Sequence, residues 1–143
     1  MVKKLLDQVD LVHHNGRPDI FKIGRKYNDT QILEIFGDDT RPVFVAEDDE
    51  GIVQGYCFCI IEESVGDNVI VDHKTLYIDD LCVDETCRGK GVGKVLYQYA
   101  VGFARSIGCH NITLNVWDCN PGARAFYDSL GMKPMKTYME EIL

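Results

Sequence analysis

The segment Val83-Asp84-Glu85-Thr86-Cys87-Arg88-Gly89-Lys90-Gly91-Val92-Gly93-Lys94 constrains the fold more than any other part of the chain. An apolar run, Lys74 to Val83, enters a turn holding three glycines. A long stripe of apolar residues at helical spacing follows: Val92, Val95, Leu96, Tyr99, Phe103 and Ile107, ending at Gly108. This pattern predicts a strand, a tight turn and an amphipathic helix. A helix start leaves backbone N–H groups unpaired at the positive end of the dipole. Glycines let such a turn take positive φ and bring its backbone close to a ligand. Arg88, Lys90 and Lys94 add positive charge in a chain of formal net charge −8. The segment reads as a cradle for an anion such as a pyrophosphate.

Two familiar nucleotide loops do not fit. A P-loop requires G-x-x-x-x-G-K-[ST]. Here Val95 follows Gly93-Lys94, and Arg88 stands where the first glycine belongs. The dinucleotide fingerprint G-x-G-x-x-G finds Gly89 and Gly91 but meets Lys94 at its third glycine. The alternative without function is a glycine turn that merely starts a helix.

The rest of the 143 residues predicts a single domain over 1–143, with 45% hydrophobic and 27% charged residues supporting an ordinary core. Val2, Leu5, Leu6, Val9 and Val12 predict an opening helix, broken over His13 to Asp19. A short helix is expected over Thr30–Phe36, then a hairpin of strands Pro42–Glu47 and Ile52–Ile61. Further strands are expected at Asn111–Trp117 and Met135–Ile142. Between them a helix runs from Pro121 to Leu130, with proline at its start and Gly131 past its end. Antiparallel strands followed by a β-α-β-α-β run imply a mixed α/β sheet with helices on both faces.

No run of about 20 apolar residues reads as a membrane span, and the polar start is unlike a signal peptide. A cytoplasmic protein is expected. A basic footprint for nucleic acid is lacking. The acidic balance suits solubility and, as an alternative, attraction of a cationic substrate. Cys57, Cys59, Cys82, Cys87, Cys109 and Cys119 form no C-x-x-C or zinc spacing, so free thiols and no metal are expected.

Two blocks carry a resemblance. Arg88-x-x-Gly91-x-Gly93 is similar to the [RQ]-x-x-G-x-[GA] acetyl-CoA signature of the GNAT superfamily of N-acetyltransferases. Asn120-Pro121-Gly122-Ala123-Arg124-Ala125-Phe126-Tyr127, closing at Gly131-Met132, resembles that family's N-x-x-A-x-x-F-Y-x-x-x-G-F block. The resemblance is strong from Tyr77 to Met132. It implies a three-layer α/β/α fold whose central, mostly antiparallel sheet is splayed at the CoA site by a bulge in the strand around Leu81-Cys82-Val83.

The resemblance also implies roles. Backbone groups of Leu81, Cys82 and Val83 would pair with the pantetheine arm, and an amide of Cys82 or Val83 would stabilise the oxyanion. Arg88, Gly89, Lys90, Gly91, Val92, Gly93 and Lys94 would hold the pyrophosphate. Asn120, with Ala123 beside it, would meet the pantetheine arm. Tyr127 matches the general acid that protonates the departing thiolate, against the alternative of a core aromatic.

For the base or water relay, Asp79 and Asp80 are the candidates. Strand alternation allows only one of them to face the cleft. His13 and His14, expected in a loop, are weaker candidates. Phe21, Tyr27 and Trp117 would shape the acceptor pocket or fill the core. The implied activity is acetyl transfer from acetyl-CoA, as co-substrate and without metal, to an amine acceptor, with a cationic amine favoured. A CoA-binding module without catalysis is the alternative. Family members open on a strand before the first helix, which is not evident here. That leaves the oligomeric state open, a homodimer included.

Overall fold

The computed structural model describes all residues, 1–143. Its elements are α1 (Val2–Gly16), α2 (Asp29–Phe36), β1 (Val43–Glu47), β2 (Val53–Ser64), β3 (His73–Val83), a 3-10 turn (Glu85–Cys87), α3 (Val92–Ser106), β4 (Asn111–Leu114) and α4 (Pro121–Ser129). The four strands form one mixed sheet in the order β1-β2-β3-β4. The β1/β2 and β2/β3 ladders are antiparallel and β3/β4 is parallel. No helix is long and apolar enough to cross a membrane.

Alternation along β2 divides the core in two. Cys57 and Cys59 point to one face, where they meet Leu76 and Ile78 of β3 and Leu96, Ala100 and Ala104 of α3. Small alanines on α3 let that helix approach the sheet closely. Tyr56 and Phe58 point to the other face, against Leu5 and Leu6 of α1 and Ile32 of α2. The result is three layers, with α1 and α2 on one side and α3 on the other. The α4 helix shares the α3 side, since a Cβ on Gly93 would stand 3.1 Å from the Phe126 ring.

Gly55 marks the tightest approach between β2, β3 and α3. A Cβ there would lie 2.8 Å from the Cys82 carbonyl oxygen and 3.0 Å from Leu96 Cδ1. The carbonyl is backbone and cannot step aside. Gly55→Ala is therefore expected to destabilise the fold by about 1–3 kcal/mol, read as a fall of several degrees in melting temperature.

Four sequence expectations are corrected. The opening helix does not break at His13. It continues to Gly16, so His13 and His14 sit in its last turn. Gly16 ends the helix against Cys119, whose Sγ would lie 2.6 Å from a Cβ at Gly16. Second, α2 starts at Asp29 because Asn28 caps it: Asn28 accepts from the Gln31 amide while the Gln31 side chain accepts from the Asn28 amide. Third, β4 stops at Leu114, short of Trp117, because it diverges from β3 there. Fourth, no strand forms over Met135–Ile142. Residues 133–143 make no backbone hydrogen bond within the chain, and a strand needs a partner.

Candidate active site

The β3 strand carries the irregularity on which the site depends. Its register with β2 pairs Cys59 with Ile78 but Phe58 with Asp80, so Asp79 is an extra residue. A bulge of this kind reverses which residues face which side. Before it, Leu76 and Ile78 face α3; after it, Leu81 and Val83 do. Asp79 and Asp80 consequently both face the α1 side, which corrects the expectation that only one of them could.

Neighbouring side chains separate the roles of the two carboxylates. Asp79 is fully engaged: the Tyr27 hydroxyl donates to Oδ2, and Lys26 Nζ donates to Oδ1 at 3.0 Å and to the Asp79 carbonyl at 3.1 Å. Arg41 in turn donates to the Tyr27 hydroxyl at 3.1 Å. The Lys26 amide donates to Asp10 at 2.5 Å. Asp80 has one donor, the Tyr56 hydroxyl at 2.7 Å on Oδ2. Burial pushes the Asp80 carboxyl up to about 6, against the Tyr56 hydrogen bond and the Lys26 charge, with Asp10 and Asp79 adding to the rise. A carboxylate held there is mostly ionised at pH 7 yet still basic.

The β3/β4 ladder spans only Thr75–Ile78 and Asn111–Leu114. Beyond Ile78 the two parallel strands separate. The Asp84 amide still bonds the Gln54 carbonyl at 2.8 Å, and N–H direction alternates along a strand. Cys82 therefore turns its amide toward β2, and its Sγ lies 3.4 Å from the Leu5 carbonyl oxygen on the α1 side. The amides of Leu81 and Val83 turn to the open edge. Of the two oxyanion donors suggested by the sequence, only Val83 has this direction, and Leu81 joins it. The Val83 carbonyl accepts from Arg88 Nε at 3.3 Å.

The turn after β3 is built on Asp84, a carboxylate only 3% exposed. It accepts from the Thr86 amide at 2.9 Å and the Thr86 hydroxyl at 2.7 Å, and pairs with Lys4 of α1 at 3.2 Å. These bonds, the Thr86 amide first, hold its carboxyl down at about 2. Beyond it, Gly89 and Gly91 take φ of 77° and 82°, and Gly91 is the N-cap of α3. No side chain caps that end. Space beside both glycines is open, and Lys90 and Lys94 form no ion pair within the chain. The helix start presents free amides and free cations together.

On the α4 side, Tyr127 is largely buried. Desolvation raises its phenol, followed by the influence of Cys57, Asp80, Tyr97 and Cys82. Its ring packs edge-on against Phe126 at 5.1 Å. Its hydroxyl has no hydrogen-bond partner in the chain, unlike those of Tyr27 and Tyr56. Asn120 is the N-cap of α4, its Oδ1 accepting from the Ala123 amide at 3.2 Å. Its amide nitrogen makes no hydrogen bond within the chain and is left for a ligand.

The remaining candidates form a wall at the end of α1. His13 stacks on Phe21 at 5.1 Å, and Phe21 meets Trp117 edge-on at 4.8 Å. His14 Nδ1 lies 2.6 Å from the Phe21 carbonyl. Burial lowers the His13 imidazole. Sequence reasoning missed Tyr56, Lys26 and Asp10. Tyr56 had a usable signal, because apolar positions move from even (Leu76, Ile78) to odd (Leu81, Val83) along β3 and so reveal the extra residue that turns Asp80 toward it. No group of three or more His, Cys, Asp or Glu is placed to hold a metal.

This arrangement has known counterparts. The acetyltransferase (GNAT) family model matches residues 10–132. Glucosamine 6-phosphate N-acetyltransferase of Arabidopsis thaliana is 27% identical over 99 residues, which span 60% of this chain and 64% of that enzyme. The chain thus matches less than two thirds of that relative's own length. A point variant of the BH1408 protein of Bacillus halodurans superposes with a TM-score of 0.96 at 32% identity, covering 99% of this chain and 91% of that one. An aminoglycoside N-acetyltransferase in complex with CoA shares the fold at TM-score 0.67 and 16% identity, over 93% of this chain and 91% of its own. The chain belongs to the GNAT acetyltransferase family.

Proposed function

We propose that the protein transfers an acetyl group from acetyl-CoA to a primary amine by direct attack in a ternary complex. The observation that carries this reading is the gap beyond Ile78, where β4 leaves β3, next to a helix start that presents open glycines and uncapped amides. The pyrophosphate would lie on the amides of Gly89 to Lys94 at the start of α3, with Arg88, Lys90 and Lys94 nearby. The pantetheine arm would lengthen the sheet in the gap, using Leu81 and Val83 and the Asn120 amide nitrogen.

The amine would enter from the α1 side, where Asp79 and Asp80 face. An alkyl ammonium with a pKa near ~10 is almost wholly charged at pH 7, so a proton must leave before attack. Asp80 accepts it, directly or through water; Asp79, saturated by Tyr27 and Lys26, positions this corner. As the carbonyl carbon becomes tetrahedral, the amides of Leu81 or Val83 take the developing oxyanion. The C–S bond then breaks, the thiolate takes a proton from the Tyr127 hydroxyl, and the second proton that the nitrogen sheds as the amide forms returns to the phenolate through solvent. The paired carboxylates and the net charge of −8 favour a cationic acceptor.

Thiol release from acetyl-CoA with a panel of amines tests the activity. Asp80→Asn, which still accepts from Tyr56, is expected to lower kcat by about 10²–10⁴-fold. In the parent, log kcat/KM steepens below pH 6, as protonation of Asp80 removes the base. In Asp80→Asn that break disappears. An unchanged profile would assign the proton transfer elsewhere.

A further inference from the structure

The acceptor side of the site already holds an amine. Lys26 Nζ donates to Asp79 Oδ1 at 3.0 Å and to the Asp79 carbonyl at 3.1 Å. Asp79 is the extra residue of the β3 bulge, and the β3/β4 ladder ends just before it, at Ile78. This ammonium is therefore bonded to the backbone where the two strands part. Its charge also acts on Asp80, where it favours the ionised form. A primary ammonium beside the base, on the face from which an acceptor would enter, has the chemistry of the acceptor itself.

Other paired lysines have no such neighbour. Lys3 pairs with Asp29, Lys4 with Asp84 and Lys74 with Glu63, carboxylates that take no part in the proposed proton transfer. The backbone at Lys26 is pinned, its amide donating to Asp10 of α1 at 2.5 Å, while the side chain keeps 38% exposure. The amine is thus held near one place on a stem that can still turn. Its departure does not strand Asp79, whose Oδ2 keeps the Tyr27 hydroxyl.

The distance to be covered is short. The Leu81 amide, one of the two suited to the oxyanion, follows Asp79 by two residues of β3. Two residues of strand span about 7 Å. A lysine reaches over such a distance by changing rotamers along its flexible four-carbon stem.

We infer that Lys26 is itself an acceptor, so that the protein acetylates its own Lys26 when acetyl-CoA is bound and no free amine fills the site. This inference rests on the acetyl transfer proposed above and names a further substrate for the same site. The ammonium gives one proton to Asp80. A bond forms from Nζ to the acetyl carbonyl carbon, the C–S bond breaks, and CoA leaves as the thiol with the Tyr127 proton. The second proton shed by Nζ as the amide forms returns to the phenolate through solvent, and Asp80 releases its own to solvent. The net products are acetyl-Lys26, CoA thiol and one proton. Acetylation removes a positive charge and the ion pair with Asp79.

Intact mass and peptide mapping after incubation with acetyl-CoA alone test this. One acetyl group is expected on Lys26, at a rate per molecule that stays constant over a tenfold range of protein concentration, because donor site and acceptor share a chain. Lys22, exposed and without an ion pair, is expected to react at least tenfold more slowly and reads the uncatalysed background. Asp80→Asn is expected to slow the reaction at Lys26 by about 10²–10⁴-fold, as it does for free amines, and to leave Lys22 unchanged. Lys26→Arg, which keeps a cation for Asp79, is expected to bring total acetyl uptake down to background. A free amine that turns over is expected to suppress acetylation of Lys26 as it saturates. Turnover of free amines with Lys26 unmodified overturns this inference and leaves the proposed activity standing. So does acetylation of Lys26 at the Lys22 rate, acetylation that persists in Asp80→Asn, or a rate that rises with protein concentration. Failure of both free amines and Lys26 to release thiol overturns the inference together with the proposed activity.

Discussion

Gly91→Asp is expected to weaken acetyl-CoA binding by about 100-fold or more, while Gly91→Asn stays within about tenfold of the parent. Gly91 has φ of 82° and stands at the N-cap of α3. Asparagine and aspartate both tolerate this conformation better than other side chains, so the pair separates strain from charge. Each places its side chain in the open space beside the helix start. Only aspartate brings a negative charge to where the pyrophosphate would lie. At 5 Å and an effective dielectric of about 20, one such charge pair costs about 3 kcal/mol, equivalent to about 100-fold in affinity. Direct titration of both variants with acetyl-CoA reads the difference. Equal affinities would show that the anion does not sit at this helix end.

Tyr127→Phe is expected to lower kcat by about 10²–10⁴-fold with little change in melting temperature. The hydroxyl bonds nothing in the chain, so its removal breaks no internal interaction, and the ring keeps its packing against Phe126 at 5.1 Å. Burial raises the phenol, so the group carries its proton at pH 7. The expected signature is a kcat effect with KM for acetyl-CoA nearly unchanged. A variant that loses stability but not kcat would make Tyr127 a packing residue.

The anion cradle was legible because its chemistry lies in consecutive residues. Glycine spacing, the apolar stripe of α3 and two motif blocks all fall within one local segment, and backbone preferences decide its shape. Asn120 was only half legible. Its position in the block pointed to a ligand, but the same Oδ1 caps α4, a local demand that takes precedence before any ligand arrives.

The acceptor side depends on long-range contacts that no local pattern encodes. Lys26 and Tyr27 lie in a loop with no periodicity, yet they meet Asp79 more than fifty positions away. His13 and His14 read as loop residues because Gly16 and Pro18 break the pattern, while packing of Gly16 against Cys119 extends α1 past them. The strand expected at Met135–Ile142 shows the opposite failure. Its residues favour extension, and the backbone is extended, but no neighbouring strand within the chain completes it.

The account stands most directly on calorimetric titration of the wild-type protein with acetyl-CoA, CoA and Mg²⁺-ATP, beside the Arg88→Ala/Gly91→Asp double variant. It predicts that acetyl-CoA and CoA bind, that Mg²⁺-ATP binds far more weakly, and that the double variant loses the CoA signal while keeping its fold. Absence of CoA binding to the wild type, or a preference for ATP, would contradict it.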